Sequence, residues 1–199
     1  PLSQWTADDK KLAQRLIPAR NKFFSLGLYN RAEKNFLDMR TEDLTDEQIR
    51  AFVPKIKEVI SYKLLTLWPE KYNEVQQVKN LNEMKALLHN QALRLLSEKI
   101  MPESPEGYLI DQFCKPELYY RYLKGQPLVD KNKTYFITKG ESHHIAVAAA
   151  SMIARCAFLD GLDSLSAEFG YKLPSGAGSN VDQIAAKILK HNGMDTLRK

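Results

Sequence analysis

The segments that decide the fold are residues 107–111 (Gly-Tyr-Leu-Ile-Asp) and residues 134–138 (Thr-Tyr-Phe-Ile-Thr). Each is a short run rich in apolar, aromatic or β-branched residues, which predicts a strand. Residues 142–169 then have the length and apolar content of a long helix, and the small residues at 146–151 suit close packing. Strands that alternate with helices indicate an α/β domain.

Helices are predicted for most of the remaining chain, so that the C-terminal half is expected to be largely helical. Thr45 with Gln48 forms a capping box, and Pro54 is expected to kink or shorten the helix that follows. A third strand is predicted at residues 59–67. The other predicted helices are residues 6–17, 20–38, 81–100, 116–123 and 180–191.

The composition is that of an ordinary soluble domain with a sizeable core: hydrophobic residues make up 44% and charged residues 27% of 199. No apolar run approaches about 18 residues and no basic, then apolar, leader opens the chain, so we expect neither a membrane helix nor a secretory signal. Cys114 and Cys156 lack metal-ligand spacing, which favours a cytoplasmic protein with free thiols. The net charge of +5 suits a polyanion such as nucleic acid, although charge alone fits a solvated surface better.

Two acidic residues stand where a site forms in an α/β domain. Asp111 ends the first predicted strand, and Glu141 follows the second and opens the long helix. Carboxylates at the C-terminal ends of neighbouring strands can converge on one cleft. Taken singly, Asp111 could be a turn or helix-capping residue, and Glu141 an ordinary acid of a first helical turn. Lys139, beside Glu141, could meet a phosphate or serve as a solubilising charge.

Several blocks, in order along the chain, resemble bacterial ribonuclease HIII over roughly residues 36–199. The most specific block is Thr-Lys-Gly-Glu-Ser-His-His at 138–144, which runs into the small-residue helix as far as Arg155. This resemblance implies a ribonuclease H-like mixed sheet flanked by helices. The other matching blocks are residues 44–50, 69–73, 85–90, 107–113, 119–125 and 173–178.

The resemblance also implies an activity, the cleavage of the RNA strand of RNA/DNA hybrids with Mg²⁺ or Mn²⁺. Four acidic residues hold the metal ions in that family, and two of these positions transfer to Asp111 and Glu141 as metal ligands and catalytic residues. Two divalent ions about 4 Å apart can activate a water and stabilise the leaving oxygen of a phosphodiester. We therefore expect a monomeric, cytoplasmic enzyme that binds hybrid nucleic acid, partly through Lys139, and no membrane.

The N-terminal segment departs from the family pattern. Residues 1–35 are rich in Lys and Arg and helix-like, so we expect an atypical helical segment ahead of a ribonuclease H-like domain at 36–199. The glycine-flanked strand that carries the family's Asp-Glu pair is not recognisable, and Asp8 and Asp9, at nearly the right distance, favour a helix-capping role. Three alternatives stay open: an incomplete chain, a catalytically lapsed nucleic-acid-binding domain, or a site completed by Asp8 and Asp9. A protein-interaction domain is a further alternative.

Overall fold

The computed structural model describes residues 44–176 and 178–193. The predictions for residues 1–35, including helices 6–17 and 20–38 and the role of Asp8 and Asp9, lie outside these residues. The described helices and strands follow in chain order: α1 (Asp46–Val59), α2 (Pro69–Val75), α3 (Leu81–Lys99), β1 (Tyr108–Asp111), α4 (Pro116–Tyr122), β2 (Thr134–Ile137), α5 (Ile145–Phe169) and α6 (Ser179–Asn192).

The described sheet consists of β1 and β2, which pair in parallel with Asp111 opposite Ile137. A parallel pair needs a crossover of a dozen or more residues, and residues 112–133, which include α4, supply it. The backbone N–H of Gln112 donates to the carbonyl oxygen of Ile137 at 3.0 Å, so the pairing extends past the end of β1. Both strands therefore end at the same edge of the sheet.

One hydrophobic core lies between α1 and α5. Its buried residues are apolar side chains of the facing sides of the two helices, and Ile56 at its centre is fully buried. Arg155 of α5 donates two hydrogen bonds, of 2.9 and 3.0 Å, to the carboxylate of Asp46 at the start of α1. These hydrogen bonds hold the pKa of Asp46 below its usual value. The buried members of this core are Ile49, Val53, Ile56, Ala149, Met152, Ile153 and Cys156.

A second core lies beneath β1 and packs α3 against α4. Its buried residues are Ala86, Ile110, Tyr119 and Leu123. The Tyr119 ring makes edge contacts with Phe136 of β2 at 5.1 Å and with Phe113 at 6.2 Å between ring centroids. Ile110 directly precedes Asp111. By burying Ile110, this core therefore fixes the position of Asp111 at the sheet edge.

The crossover loop is tied to α3 by a buried amide. Asn90 is 4% exposed, and its side-chain N–H donates to the carbonyl oxygen of Pro127 at 2.8 Å. Its side-chain oxygen accepts from the backbone N–H of Val129 at 3.3 Å. Burial of a polar side chain is unfavourable unless its hydrogen bonds are made. Here the backbone of the segment that leads into β2 provides the partners that water would otherwise provide.

One of the sequence predictions about this part of the chain is wrong. Residues 61–68 form neither helix nor strand, so the third strand predicted at 59–67 is absent: β1 and β2 pair only with each other among the described residues. The Tyr62 ring is covered by the ammonium groups of Lys57 and Lys99, at 5.4 and 5.1 Å from its centroid. This packing orders the segment without the hydrogen-bonded neighbour that a strand requires.

Pro54 does not end the helix, because α1 continues five residues beyond it to Val59. The proline lies on the exposed side and removes a single backbone donor, while Val53 and Ile56 hold that turn against α5. The capping box at the start of α1 is confirmed: Thr45 accepts from the backbone N–H of Gln48, and the Gln48 side chain accepts from the backbone N–H of Thr45.

Among the described residues, α5 is the one helix long and apolar enough to cross a membrane by length and composition. A single such helix is weak evidence, since core helices of soluble proteins have the same character. The buried residues of α5 include four of the core that it shares with α1. Its apolar content is thus partly explained by that packing.

The buried hydroxyl of Tyr119 yields the first prediction. Tyr119 is 1% exposed and its hydroxyl has no hydrogen-bond partner in the described part of the chain, while burial raises the pKa of this phenol well above its usual range. We expect Tyr119→Phe to leave the free energy of unfolding unchanged or to raise it by up to about 2 kcal/mol, because it removes an unsatisfied polar atom. Urea unfolding of the 199-residue chain measures this difference.

Tyr119→Ala is the matched control, since it removes the ring as well. Loss of the edge contacts and the resulting cavity should lower the free energy of unfolding by about 3 kcal/mol or more. A Tyr119→Phe variant that unfolds as easily as Tyr119→Ala would show that the hydroxyl has a partner after all.

Candidate active site

The candidate site forms where β1 and β2 end together. Asp111 is the last residue of β1, and its side chain is exposed at the sheet edge. The chain leaves β2 opposite it, passes Thr138, and turns back sharply at Lys139. Lys139 has φ 57° and ψ 45°, the left-handed conformation that a side chain other than glycine rarely adopts. Such backbone strain persists where the surrounding structure holds it.

The turn at Lys139 points the next backbone N–H at Asp111. Gly140 donates from its backbone N–H to Oδ1 of Asp111 at 2.9 Å. Gly140 is buried, and a Cβ added to it would lie 3.5 Å from both Cα and Cβ of Asp111 and 3.3 Å from Cγ1 of Val147 in α5. The absence of a side chain therefore lets the turn approach the carboxylate and the long helix at once.

Glu141 follows Gly140 within the 3-10 turn Gly140–Ser142 and is half-buried. The structure therefore brings the turn that carries Glu141 against the end of β1, as the strand-end argument predicts. One detail of that prediction is wrong: Glu141 does not open the long helix, which begins at Ile145. The reason is that His144 caps this helix, its Nδ1 accepting from the backbone N–H of Ala146 at 3.1 Å.

The carboxylate oxygens at this edge are the ligand type that a hard divalent cation prefers, but the described residues offer too few of them. Mg²⁺ and Mn²⁺ prefer carboxylate oxygens, which Asp111 and Glu141 offer. The described residues contain no group of three or more Asp, Glu, His or Cys that could hold a metal ion. Within residues 44–176 and 178–193, the pair thus supplies only part of a coordination shell.

His89 of α3 belongs to the same neighbourhood, although the sequence reasoning did not select it as a site residue. Its half-buried ring meets Phe113 edge-on at 5.2 Å between centroids. Burial and the ammonium of Lys85 lower the pKa of His89, whereas the negative charge of Asp111 raises it. The sequence around a single histidine on a helix does not predict that it will lie near Phe113 and Asp111. This proximity arises only when α3 packs beneath β1.

A protein-family model described as ribonuclease HII matches residues 37–199. The chain belongs to the ribonuclease HII family. Its curated relatives include the ribonuclease HIII of Enterococcus faecalis, 51% identical over 157 residues, which are 79% of this chain and 52% of that protein. The ribonuclease HIII of Bacillus cereus is 48% identical over 158 residues, covering 79% of this chain and 51% of the relative.

Solved ribonuclease structures share the fold. A crystal structure of a mutant of Bst-RNase HIII superposes with a TM-score of 0.82 at 36% sequence identity, covering 91% of this chain and 56% of that chain. A structure of Bst-RNase HIII in complex with Mn²⁺ gives the same values. The resemblance to ribonuclease HIII and the α/β, ribonuclease H-like fold class are thereby confirmed. The chain spans about half the length of the curated relatives it matches.

The close approach of Gly140 yields a prediction about this ribonuclease HII family member. Gly140→Ala should lower the free energy of unfolding by about 1 to 3 kcal/mol, because the new methyl group crowds Cγ1 of Val147 at 3.3 Å. Backbone conformation does not oppose the change, since Gly140 is not among the residues with positive φ. Urea unfolding of the variant measures the cost.

Val147→Ala provides the internal control, because it removes the crowded carbon and leaves only ordinary contacts at 3.5 Å. In that background Gly140→Ala should cost less than about 0.5 kcal/mol, a non-additivity that neighbouring residues show when they share space. An equal cost of Gly140→Ala in both backgrounds would contradict steric crowding as its cause.

Proposed function

We propose that this chain contributes Asp111 and Glu141 to the metal site of an endonuclease that cleaves the RNA strand of RNA/DNA hybrids. The observation that carries the proposal is the hydrogen bond from Gly140 to Asp111, which joins the turn bearing Glu141 to the end of β1. Family membership supports the reaction class, and the Mn²⁺ complex of Bst-RNase HIII supports Mg²⁺ or Mn²⁺ as the cofactor.

The two carboxylates are suited to hold a cation because no cationic side chain of the described residues neutralises them. Oδ1 of Asp111 accepts from the uncharged backbone N–H of Gly140, and neither Asp111 nor Glu141 forms an ion pair within the described residues. Divalent ions bound by such carboxylates activate a water and stabilise the charge that develops on a phosphodiester. The role of Asp111 and Glu141 is to fix the position of the divalent ions at the sheet edge.

Nucleic-acid binding is proposed to involve Lys139. Its exposed side chain leaves the strained turn directly before Gly140, so its attachment point is fixed relative to Asp111. An ammonium held there can meet a backbone phosphate without reading a base. The net charge of +5 favours binding of a polyanion in the same way. We further propose a monomeric, cytoplasmic protein that binds no membrane. The packing of α5 into a core with α1 supports the last of these points.

A second candidate function is hybrid binding without hydrolysis. The observation that favours it is the absence, among residues 44–176 and 178–193, of a third acid beside Asp111 and Glu141. Two carboxylates alone hold a pair of divalent ions poorly against water. Asp8 and Asp9 remain the alternative source of the other ligands, so the two candidates differ in whether this chain alone cleaves its substrate.

The metal-site proposal predicts that Asp111→Asn slows cleavage of a labelled RNA/DNA hybrid in Mn²⁺ by roughly 100-fold or more, since metal-ion stabilisation is worth several kcal/mol. Asparagine keeps the shape of the residue and an oxygen that can accept from Gly140, so the substitution removes mainly the charge. Glu141→Gln should have a comparable effect. The cleavage rate of the 199-residue chain, followed on a denaturing gel, measures both.

Glu117→Gln serves as the control because it removes a similar charge from an exposed position on α4. Its cleavage rate should match that of the unsubstituted chain. Undiminished cleavage by Asp111→Asn would remove the proposed site. Salt-dependent binding of the hybrid without any metal-dependent cleavage by the unsubstituted chain would establish the second candidate function instead.

A further inference from the structure

Helix α3 carries a cationic side chain, Lys85, beside the candidate site. It belongs to a different element from Lys139, which follows β2. Lys85 and His89 lie one turn apart on α3 and both contact the ring of Phe113, two residues after Asp111. Residues four apart share one face of a helix, so the two side chains approach the end of β1 together. Phe113 itself packs edge-on against Tyr119 of the core beneath the sheet, which fixes the ring that both side chains touch.

Of these two side chains, Lys85 offers the ammonium group that a phosphate can meet. Burial and the neighbouring ammonium keep the pKa of His89 below its usual value, so the imidazole is uncharged there. The Lys85 side chain is exposed, and its Nζ lies 5.7 Å from the centroid of the Phe113 ring. Contact with an aromatic face restrains the ammonium without neutralising it.

Lys85 also differs from other lysines of the same region in having no acidic partner among the residues that the structure describes. Lys71 pairs with Glu74 at 2.7 Å and Lys79 pairs with Glu83, whereas Lys85 forms no ion pair within the described residues. Within the described residues no acid neutralises its charge, and both this ammonium and the carboxylate of Asp111 act on the pKa of His89.

We propose that Lys85 contacts a phosphate of the bound nucleic acid next to Asp111. This inference rests on the proposed function, and it adds a contact from α3 to the one proposed for Lys139 at the end of β2. Two ammonium groups delivered by different elements would fix the direction of the backbone across the sheet edge, whereas one would leave it free to pivot. Contacts of this kind position the duplex and carry no sequence information.

The test is the salt dependence of hybrid binding by the 199-residue chain. Fluorescence anisotropy of a labelled RNA/DNA hybrid, in EDTA to prevent cleavage, gives the association constant between about 50 and about 200 mM NaCl. Loss of one phosphate contact in Lys85→Gln should make the slope of log K against log salt shallower by roughly 0.7 to 0.9. Lys85→Arg should keep the slope, because it keeps the charge.

Lys55→Gln is the matched control, since it removes the same charge from an exposed position on α1, which packs on α5. A Lys85→Gln slope equal to that of Lys55→Gln overturns the inference alone, provided that the unsubstituted chain binds with a salt-dependent slope. Binding by the unsubstituted chain that ignores salt overturns the proposed nucleic-acid partner and this inference with it. A slope shared by Lys85→Arg and Lys85→Gln, both shallower than the original, also contradicts a charge contact.

Discussion

The hydrogen bond from the backbone of Gly140 to the carboxylate of Asp111 is the contact on which the rest of the candidate site depends. It joins the end of β1 to the turn between β2 and α5, two segments 29 residues apart in sequence. Three conditions make it possible: a parallel register that ends both strands together, a left-handed residue at Lys139, and no side chain at Gly140. All three conditions concern the backbone. The carboxylate of Asp111 is therefore oriented by backbone segments that have few alternative conformations.

Two separate cores hold the two sides of this junction. The core beneath β1 buries Ile110 and Tyr119 and so fixes Asp111 from the side of α3 and α4. The core between α1 and α5 fixes the other side, because α5 carries Val147 against Gly140 and contacts β1. Interiors packed at crystal-like density transmit small displacements. A substitution in the core beneath β1 is therefore expected to displace Asp111 through Ile110, and one in the core between α1 and α5 through the contact of Val147 with Gly140.

The sequence correctly predicted those helices that are specified by residues close together along the chain. The capping box at Thr45 and Gln48 and the small-residue run of α5 specify helices through near neighbours, and the structure has both helices. Residues 59–67 have strand composition, but a strand needs a hydrogen-bonded partner, and Tyr62 packs against two lysines instead. The family resemblance pointed to Asp111 and Glu141, whereas the contacts of Lys85 and His89 with Phe113 arise only from the packing of α3 on that ring.

The carboxylates of the candidate site differ from those at the α1–α5 contact in the groups that they meet. Asp46, Asp160 and Asp163 each meet an arginine across the α1–α5 contact. Asp111 and Glu141 meet no such cation in the described residues, and Gly140 gives Asp111 only a neutral donor. A divalent ion held by both carboxylates would supply the positive charge that these residues lack. Lysines at the rim, rather than within the pair, would then attract the phosphate backbone without displacing the metal.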